Sequence, residues 1–126
     1  MTMDRRKATG NEGEFLVCKY LEERSHTILK KNYRSGHLEI DIISLDREGI
    51  HFVEVKTRRP PMQADPQDSV TPAKQRKIAT AARRFLTASR QKELELLECH
   101  FDVAAVVING NTASINYIKD AYIPIF

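Results

Sequence analysis

The sequence predicts an α/β protein: one mixed β-sheet flanked by helices, in the order α-β-β-β-α-β-β. Three observations carry that prediction. Apolar residues near the N-terminus recur at helical spacing, two alternating runs are joined by a short polar turn, and Phe101–Ile108 is almost wholly apolar. With 126 residues the chain has the length of a single domain, taken here as 1–126.

The first element, about Ala8 to Arg24, reads as a helix. Glu14, Val17, Cys18 and Leu21 fall at i, i+3, i+4 and i+7, so a carboxylate shares the apolar stripe. A short extended segment follows, roughly Thr27 to Arg34. His37–Leu45 then alternates, with Leu38, Ile40 and Ile42 on one side and Glu39, Asp41 and Ile43 on the other. Ile50–Lys56 sets His51, Val53 and Val55 against Ile50, Phe52, Glu54 and Lys56. Asp46-Arg47-Glu48-Gly49 between them has the composition of a hairpin turn. The stretch 58–70 holds Pro60, Pro61 and Pro66 without periodicity and reads as a mobile loop. Thr71-Pro72 starts the second helix, with a capping hydroxyl and proline at the first helical position. Ile78, Ala81, Ala82 and Phe85 supply its apolar face, and Arg76/Arg83 and Lys77/Arg84 stack away from it. Phe101–Ile108 is a buried strand, and Asn109-Gly110-Asn111 turns it into a last strand around Ser114–Ile118.

Composition narrows the function. Hydrophobic residues make up 41% and charged residues 29%, as in an ordinary globular protein. No run approaches a membrane span, and the basic N-terminus lacks the apolar run of a secretory signal, so a cytoplasmic location is expected. Cys18 and Cys99 have no metal-ligand spacing and read as small buried apolar residues. The net charge of +3 is mild, but basic residues gather at Arg5–Lys7, at Lys56–Arg59 and from Lys74 to Arg84, while acids dominate Glu93–Glu98. That division of sign suits a positive face for phosphates, or equally a solvated helix surface.

The hairpin permits a geometric argument. If Leu45 pairs with Ile50, Asp41 lies opposite Glu54 and Glu39 opposite Lys56. Directly paired side chains have Cβ atoms about 4.5–5.5 Å apart, where two carboxylates repel. A divalent cation such as Mg²⁺ resolves the conflict, and Lys56, two residues beyond Glu54, can assist an attacking water or offset charge in the transition state. Glu14 reaches the same region if its helix packs on the sheet. The Glu-x-Lys triplet alone carries no weight. The plain alternative is a solvated polar sheet face with Glu39 and Lys56 as an ordinary ion pair.

Several motifs occur in sequence: Gly10-Asn11-Glu12-Gly13-Glu14, Asn32-Tyr33-Arg34, Glu39-Ile40-Asp41-Ile42-Ile43, Phe52-Val53-Glu54-Val55-Lys56-Thr57-Arg58, Val70-Thr71-Pro72-Ala73-Lys74-Gln75-Arg76 and Phe101-Asp102-Val103. Together they resemble the YraN-like family of uncharacterised bacterial proteins. That family looks like a branch of the PD-(D/E)XK nuclease superfamily, similar to archaeal Holliday-junction resolvases, with a restriction-endonuclease-like fold. The resemblance implies Mg²⁺ or Mn²⁺ held by Glu14, Asp41 and Glu54, with Lys56 as the fourth catalytic residue and Gln75 as an extra polar group nearby. Leu38 stands where the family has glycine before Glu-Ile-Asp, and Gly36-His37 ahead of it suggest a shifted turn.

The expected activity is a metal-dependent endonuclease hydrolysing phosphodiester bonds in DNA, branched or structured DNA included, with Arg58, Lys74, Gln75, Arg76, Lys77 and Arg84 contacting the nucleic acid. A homodimer would suit a four-way junction, whose two equivalent strands are cut. The Ala-rich second helix and the tail Tyr122–Phe126 are candidate surfaces for it. The competing reading is a nucleic-acid-binding protein that keeps the fold without cutting. A glycosidase use of the paired acids fits poorly with the absence of tryptophan and the basic surroundings. His26, His37, His51 and His100 show no metal-ligand pattern, and His37 reads as a surface residue that shares a face with Asp41. Asp102 reads as the partner of a basic residue or a strand-end group. Tyr33, Tyr117 and Tyr122 read as packing residues.

Overall fold

A computed structural model of the protein describes residues 5–61 and 70–124. Helix α1 (Arg5–Glu23) is followed by strands β1 (Thr27–Ser35), β2 (Leu38–Asp46) and β3 (Gly49–Arg58). Helix α2 (Pro72–Ala88), a short 3-10 helix (Lys92–Leu96), β4 (Cys99–Asn109) and β5 (Thr112–Ile118) complete the chain. The strands form one five-stranded sheet in sequence order; β3 and β4 are parallel and the other neighbours antiparallel. The predicted mixed sheet and element order are therefore observed. The 3-10 helix has no counterpart in the sequence reading, and β3 runs through Arg58, so strand occupies the start of the stretch assigned to a loop. Residues 59–61 and 70 are free of helix and strand, as a loop requires, and 62–69 lie outside the described residues.

The two helices cover opposite faces of the sheet. Val17, Cys18 and Leu21 of α1 pack on Ile42, Val53, Ala104, Val106 and Ile108. Ile78, Ala81 and Ala82 of α2 pack on Ile40, Ile43, Ile50, Phe52 and Phe101. Ala79, Ala81 and Ala82 of α2 are buried in this packing, while Ala73 and Ala88 are exposed. Thr71 caps α2 as expected, its hydroxyl accepting the Lys74 N–H at 3.2 Å. At the β2–β3 turn, Gly49 has φ +137, and a Cβ there would stand 2.2 Å from the Glu98 carbonyl oxygen, so only glycine fits.

One expectation about β2 is corrected. Leu38 and Ile40 pack beneath α2 with Ile43, whereas Ile42 packs beneath α1. The strict alternation that put Leu38, Ile40 and Ile42 on one face breaks at Asp41. Tyr33↔Ile40 and Lys31↔Ile42 still pair across β1, and Asn32 between them has φ 51. A left-handed residue on β1 at this level accompanies the turn of β2 without changing the register. The turn before β2 is the Gly36-His37 pair, with Ser35 opposite Leu38. Cys18 is buried as expected, but Cys99 is exposed at the first position of β4.

Candidate active site

The register deduced from sequence is observed, with Leu45 opposite Ile50 and Ile42 opposite Val53. The ladder between β2 and β3 runs no further than that pair, so the predicted direct pairings of Asp41 with Glu54 and Glu39 with Lys56 are not ladder pairs. Instead, Asp41 Oδ2 accepts the Val55 N–H at 2.8 Å. A side chain thus takes the hydrogen bond the ladder would have supplied, and the strands fork at Asp41. Glu39 sits opposite Arg34 of β1, their charged atoms 3.8 Å apart.

The fork gathers negative charge. Burial pushes the Asp41 carboxyl up to about 7; the charge of Glu54 adds to the rise, the Val55 N–H opposes it, and Glu14 and Glu39 add again. Glu14 comes from α1 and is also raised, first by burial and then by Glu39 and Glu54, against a hydrogen bond from Asn32 and the charge of Lys31. Glu54 is buried, and its Oε1 is ion-paired with the Lys74 ammonium from α2. Lys56 lies half-buried on β3 just beyond Glu54. The three acids singled out in the sequence therefore lie close enough to act on one another, although they come from one helix and two strands.

The donor set suits a hard cation. It consists of carboxylate oxygens, and their crowding is costly unless positive charge offsets it. Among the described residues Glu14, Asp41 and Glu54 do not close into a mutual trio within 4.8 Å. Mg²⁺ needs only one or two carboxylates and keeps several waters, so a pair of acids is enough in number for such an ion.

The residues proposed for nucleic-acid contact divide into two groups. Arg76, Lys77 and Arg84 are exposed on α2, with Arg84 Nη1 near Ser35 Oγ at 3.4 Å. Lys74 and Gln75 are turned inward: Lys74 pairs with Glu54, and Gln75 Nε2 donates to the Val70 carbonyl at 3.0 Å. Arg58 is half-buried at the end of β3. His37 is exposed, as expected. Tyr33 packs edge-on against Phe85 at 5.2 Å, Tyr117 stacks on Tyr20 at 5.5 Å, and Tyr122 packs on Phe101 at 5.7 Å, so all three are packing residues.

A second polar cluster was missed. His51, buried in β3, places Nδ1 2.7 Å from Asp102 Oδ2 and Nε2 2.9 Å from Asp46 Oδ1. His26 Nε2 lies 3.3 Å from the other Asp46 oxygen. Asp102, in the interior of β4, also accepts the Tyr117 hydroxyl and the Asp120 N–H, which makes it the partner of a histidine rather than a strand-end group. Burial lowers His51, but its hydrogen bonds to Asp102 and Asp46 outweigh that and raise it. The available signal was an ionisable residue between Ile50 and Phe52 in a buried strand, which demands a partner. The partners themselves, at positions 26, 46 and 102, share no spacing.

The model of the uncharacterised protein family UPF0102 matches residues 13–106, which include all four candidate catalytic residues. A UPF0102 protein of Chlorobium chlorochromatii (strain CaD3) is 41% identical over 119 residues, covering 90% of this chain and 89% of its own. One of Geotalea uraniireducens (strain Rf4) is 42% identical over 117 residues, covering 92% and 90%. One of Geobacter metallireducens is 39% identical over 116 residues, covering 92% and 93%. None of these names states an activity.

Proposed function

We propose that this chain, which belongs to the uncharacterised protein family UPF0102, is a metal-dependent endonuclease of the PD-(D/E)XK type that hydrolyses phosphodiester bonds in DNA in the cytoplasm. The observation that carries the reading is the half-buried acid at the strand fork, crowded by other carboxylates. Asp41 is fixed by the Val55 N–H and crowded by Glu54 and Glu14, with Lys56 on the adjoining strand.

Asp41 and Glu54 would hold Mg²⁺ or Mn²⁺ with Glu14 beside them, and the ion would supply charge stabilisation at the phosphate and a more acidic water. The chain's own groups do the rest. The Val55 N–H holds one Asp41 oxygen, leaving the other to face a ligand. Lys74 balances Glu54 before a cation arrives. Lys56 orients the attacking water and offsets negative charge as the phosphate becomes five-coordinate. Arg76, Lys77 and Arg84 present the positive surface that phosphates contact, which positions the duplex without reading its sequence.

The test combines Mn²⁺ titration by calorimetry with cleavage of linear and four-way-junction DNA. The wild-type chain is expected to bind Mn²⁺ saturably and to cut, and Asp41→Asn to lose both while retaining DNA binding. Lys56→Ala should slow cutting by about 10²–10⁴-fold without removing the metal. A wild-type chain that binds DNA but neither takes up Mn²⁺ nor cuts would leave the non-catalytic binding protein as the correct reading.

A further inference from the structure

We infer that His26, Asp46 and His51 form a second metal site, of the open three-ligand zinc type, at the other end of the sheet. Asp46 lies five positions along β2 from Asp41, about 17 Å at strand spacing, so the two sites share no ligand. The inference stands independently of the nuclease reading.

The geometry has three parts. One ligand atom from each of the three residues lies within 4.8 Å of the others, the one such trio among the described residues. His51 Nε2 and His26 Nε2 each meet one of the two oxygens of the Asp46 carboxylate. Bonds of about 2.0–2.1 Å in tetrahedral directions set ligands about 3.3 Å apart, and the His51–Asp46 and His26–Asp46 separations are 2.9 and 3.3 Å. With one ligand atom from each residue inside the 4.8 Å limit, no edge must close by more than about 1.5 Å.

The other ring nitrogens are already occupied. His51 Nδ1 meets the fully buried Asp102 carboxylate at 2.7 Å, and His26 Nδ1 meets Ser44 Oγ at 3.0 Å. Both Nε2 atoms are thereby turned toward Asp46. A carboxylate or hydroxyl behind each metal-facing imidazole is the outer-shell arrangement that fixes a ligand's tautomer and ring plane. Asp46 Oδ1 also accepts the Glu48 N–H at 2.9 Å, which sets the carboxylate's orientation.

The third part is access. His26, Asp46 and His51 line a cleft of about 600 Å³, together with Tyr20, Arg24 and Tyr117. A metal there would have three protein ligands and a fourth position open to an oxygen ligand from solvent. Two imidazoles with one carboxylate suit Zn²⁺ over Mg²⁺, because nitrogen ligands favour the later transition ions.

The experiment uses the full-length chain carrying Asp41→Asn, so that the carboxylate site does not contribute. Zn²⁺ is titrated by calorimetry, and Co²⁺ serves as a spectroscopic stand-in. One equivalent of Zn²⁺ should bind, and Co²⁺ should give visible tetrahedral bands without the near-ultraviolet band of a thiolate ligand. His26→Gln should weaken Zn²⁺ by more than the roughly 10–100-fold that loss of an outer-shell partner costs, and Ser44→Ala should fall within that range. Circular dichroism establishes that each variant is folded; Ser44→Ala decides the matter if His26→Gln is not. Zn²⁺ affinity unchanged in the folded variants, a thiolate band, or no saturable binding would each overturn the site and leave the trio as an ion-paired clamp.

Discussion

Substituting alanine for Gly13 and for Gly10 in α1 should move stability in opposite directions. Alanine in place of glycine inside a helix normally stabilises by about 0.5–1 kcal/mol, because the unfolded chain loses freedom. A Cβ on Gly10 meets nothing within 4 Å, so Gly10→Ala should realise that gain. A Cβ on Gly13 would stand 1.8 Å from Thr57 Oγ1, 2.8 Å from its Cβ and 3.0 Å from its Cγ2. Thr57 is β-branched and half-buried on the central strand β3, so no flexible tail can swing aside. Overpacking of this kind costs about 1–3 kcal/mol. The helix term is common to both variants, so their difference isolates the clash, and Gly13→Ala should be about 1–3 kcal/mol less stable than Gly10→Ala. Urea unfolding followed by circular dichroism reads this as a shift in midpoint at constant slope. Thr57→Ala in the Gly13→Ala background should recover part of the loss, because it removes the closest atom. Because Glu14 is the next residue, Gly13→Ala should also weaken Mn²⁺ binding by displacing α1 from β3. Equal stability of the two alanine variants would refute the claim that α1 is seated on Thr57.

Other outcomes follow from the charged groups. Asp41 keeps a proton in the folded, metal-free chain that the unfolded chain releases above its ordinary 3.8. Its stabilisation is therefore full below that value and is lost as pH rises through about 7. Asp46 is held below the ordinary range, chiefly by His51 against the effect of burial, and acts in the opposite sense, its contribution fading as pH falls. Unfolding measured between about pH 5 and 8 should thus show falling stability in metal-free wild type and a flatter profile in Asp41→Asn; identical profiles would count against a crowded acid. Lys74→Ala should raise Mn²⁺ affinity, because the ammonium no longer competes for Glu54, and calorimetry showing no change would remove Glu54 from the ligand set. Tyr117→Phe should cost about 1.5–3 kcal/mol, since it deletes a hydrogen bond to the buried Asp102 charge while keeping the stack on Tyr20. Thermal unfolding within a few tenths of a kcal/mol of wild type would show that Asp102 is satisfied by His51 and Asp120 alone.

Local chemistry made much of the protein legible in its sequence. Periodicity revealed both helices, Thr71 marked the start of α2 through a hydroxyl that captures the Lys74 N–H, and the polar turn fixed the β2–β3 register at Leu45↔Ile50. Asp41 and Glu54 could be brought together on paper because a hairpin converts sequence distance into space by a fixed rule. Where neighbours come from afar, that rule gives no purchase. The break at Asp41 lies level with the left-handed Asn32 of β1, and the alternation of β2 alone assigned Ile42 to the wrong face. Lys74 reads as a surface cation until α2 is laid over Glu54. His26, Asp46, His51 and Asp102 are separated by 20, 5 and 51 residues and meet because β3 lies beside both the antiparallel β2 and the parallel β4. Parallel pairing leaves no short turn from which to count, and burial forces any ionisable group it encloses to find a partner. The sequence thus determined the elements and the hairpin acids; the crossover of β4 and the packing of the helices decided which charges are buried together.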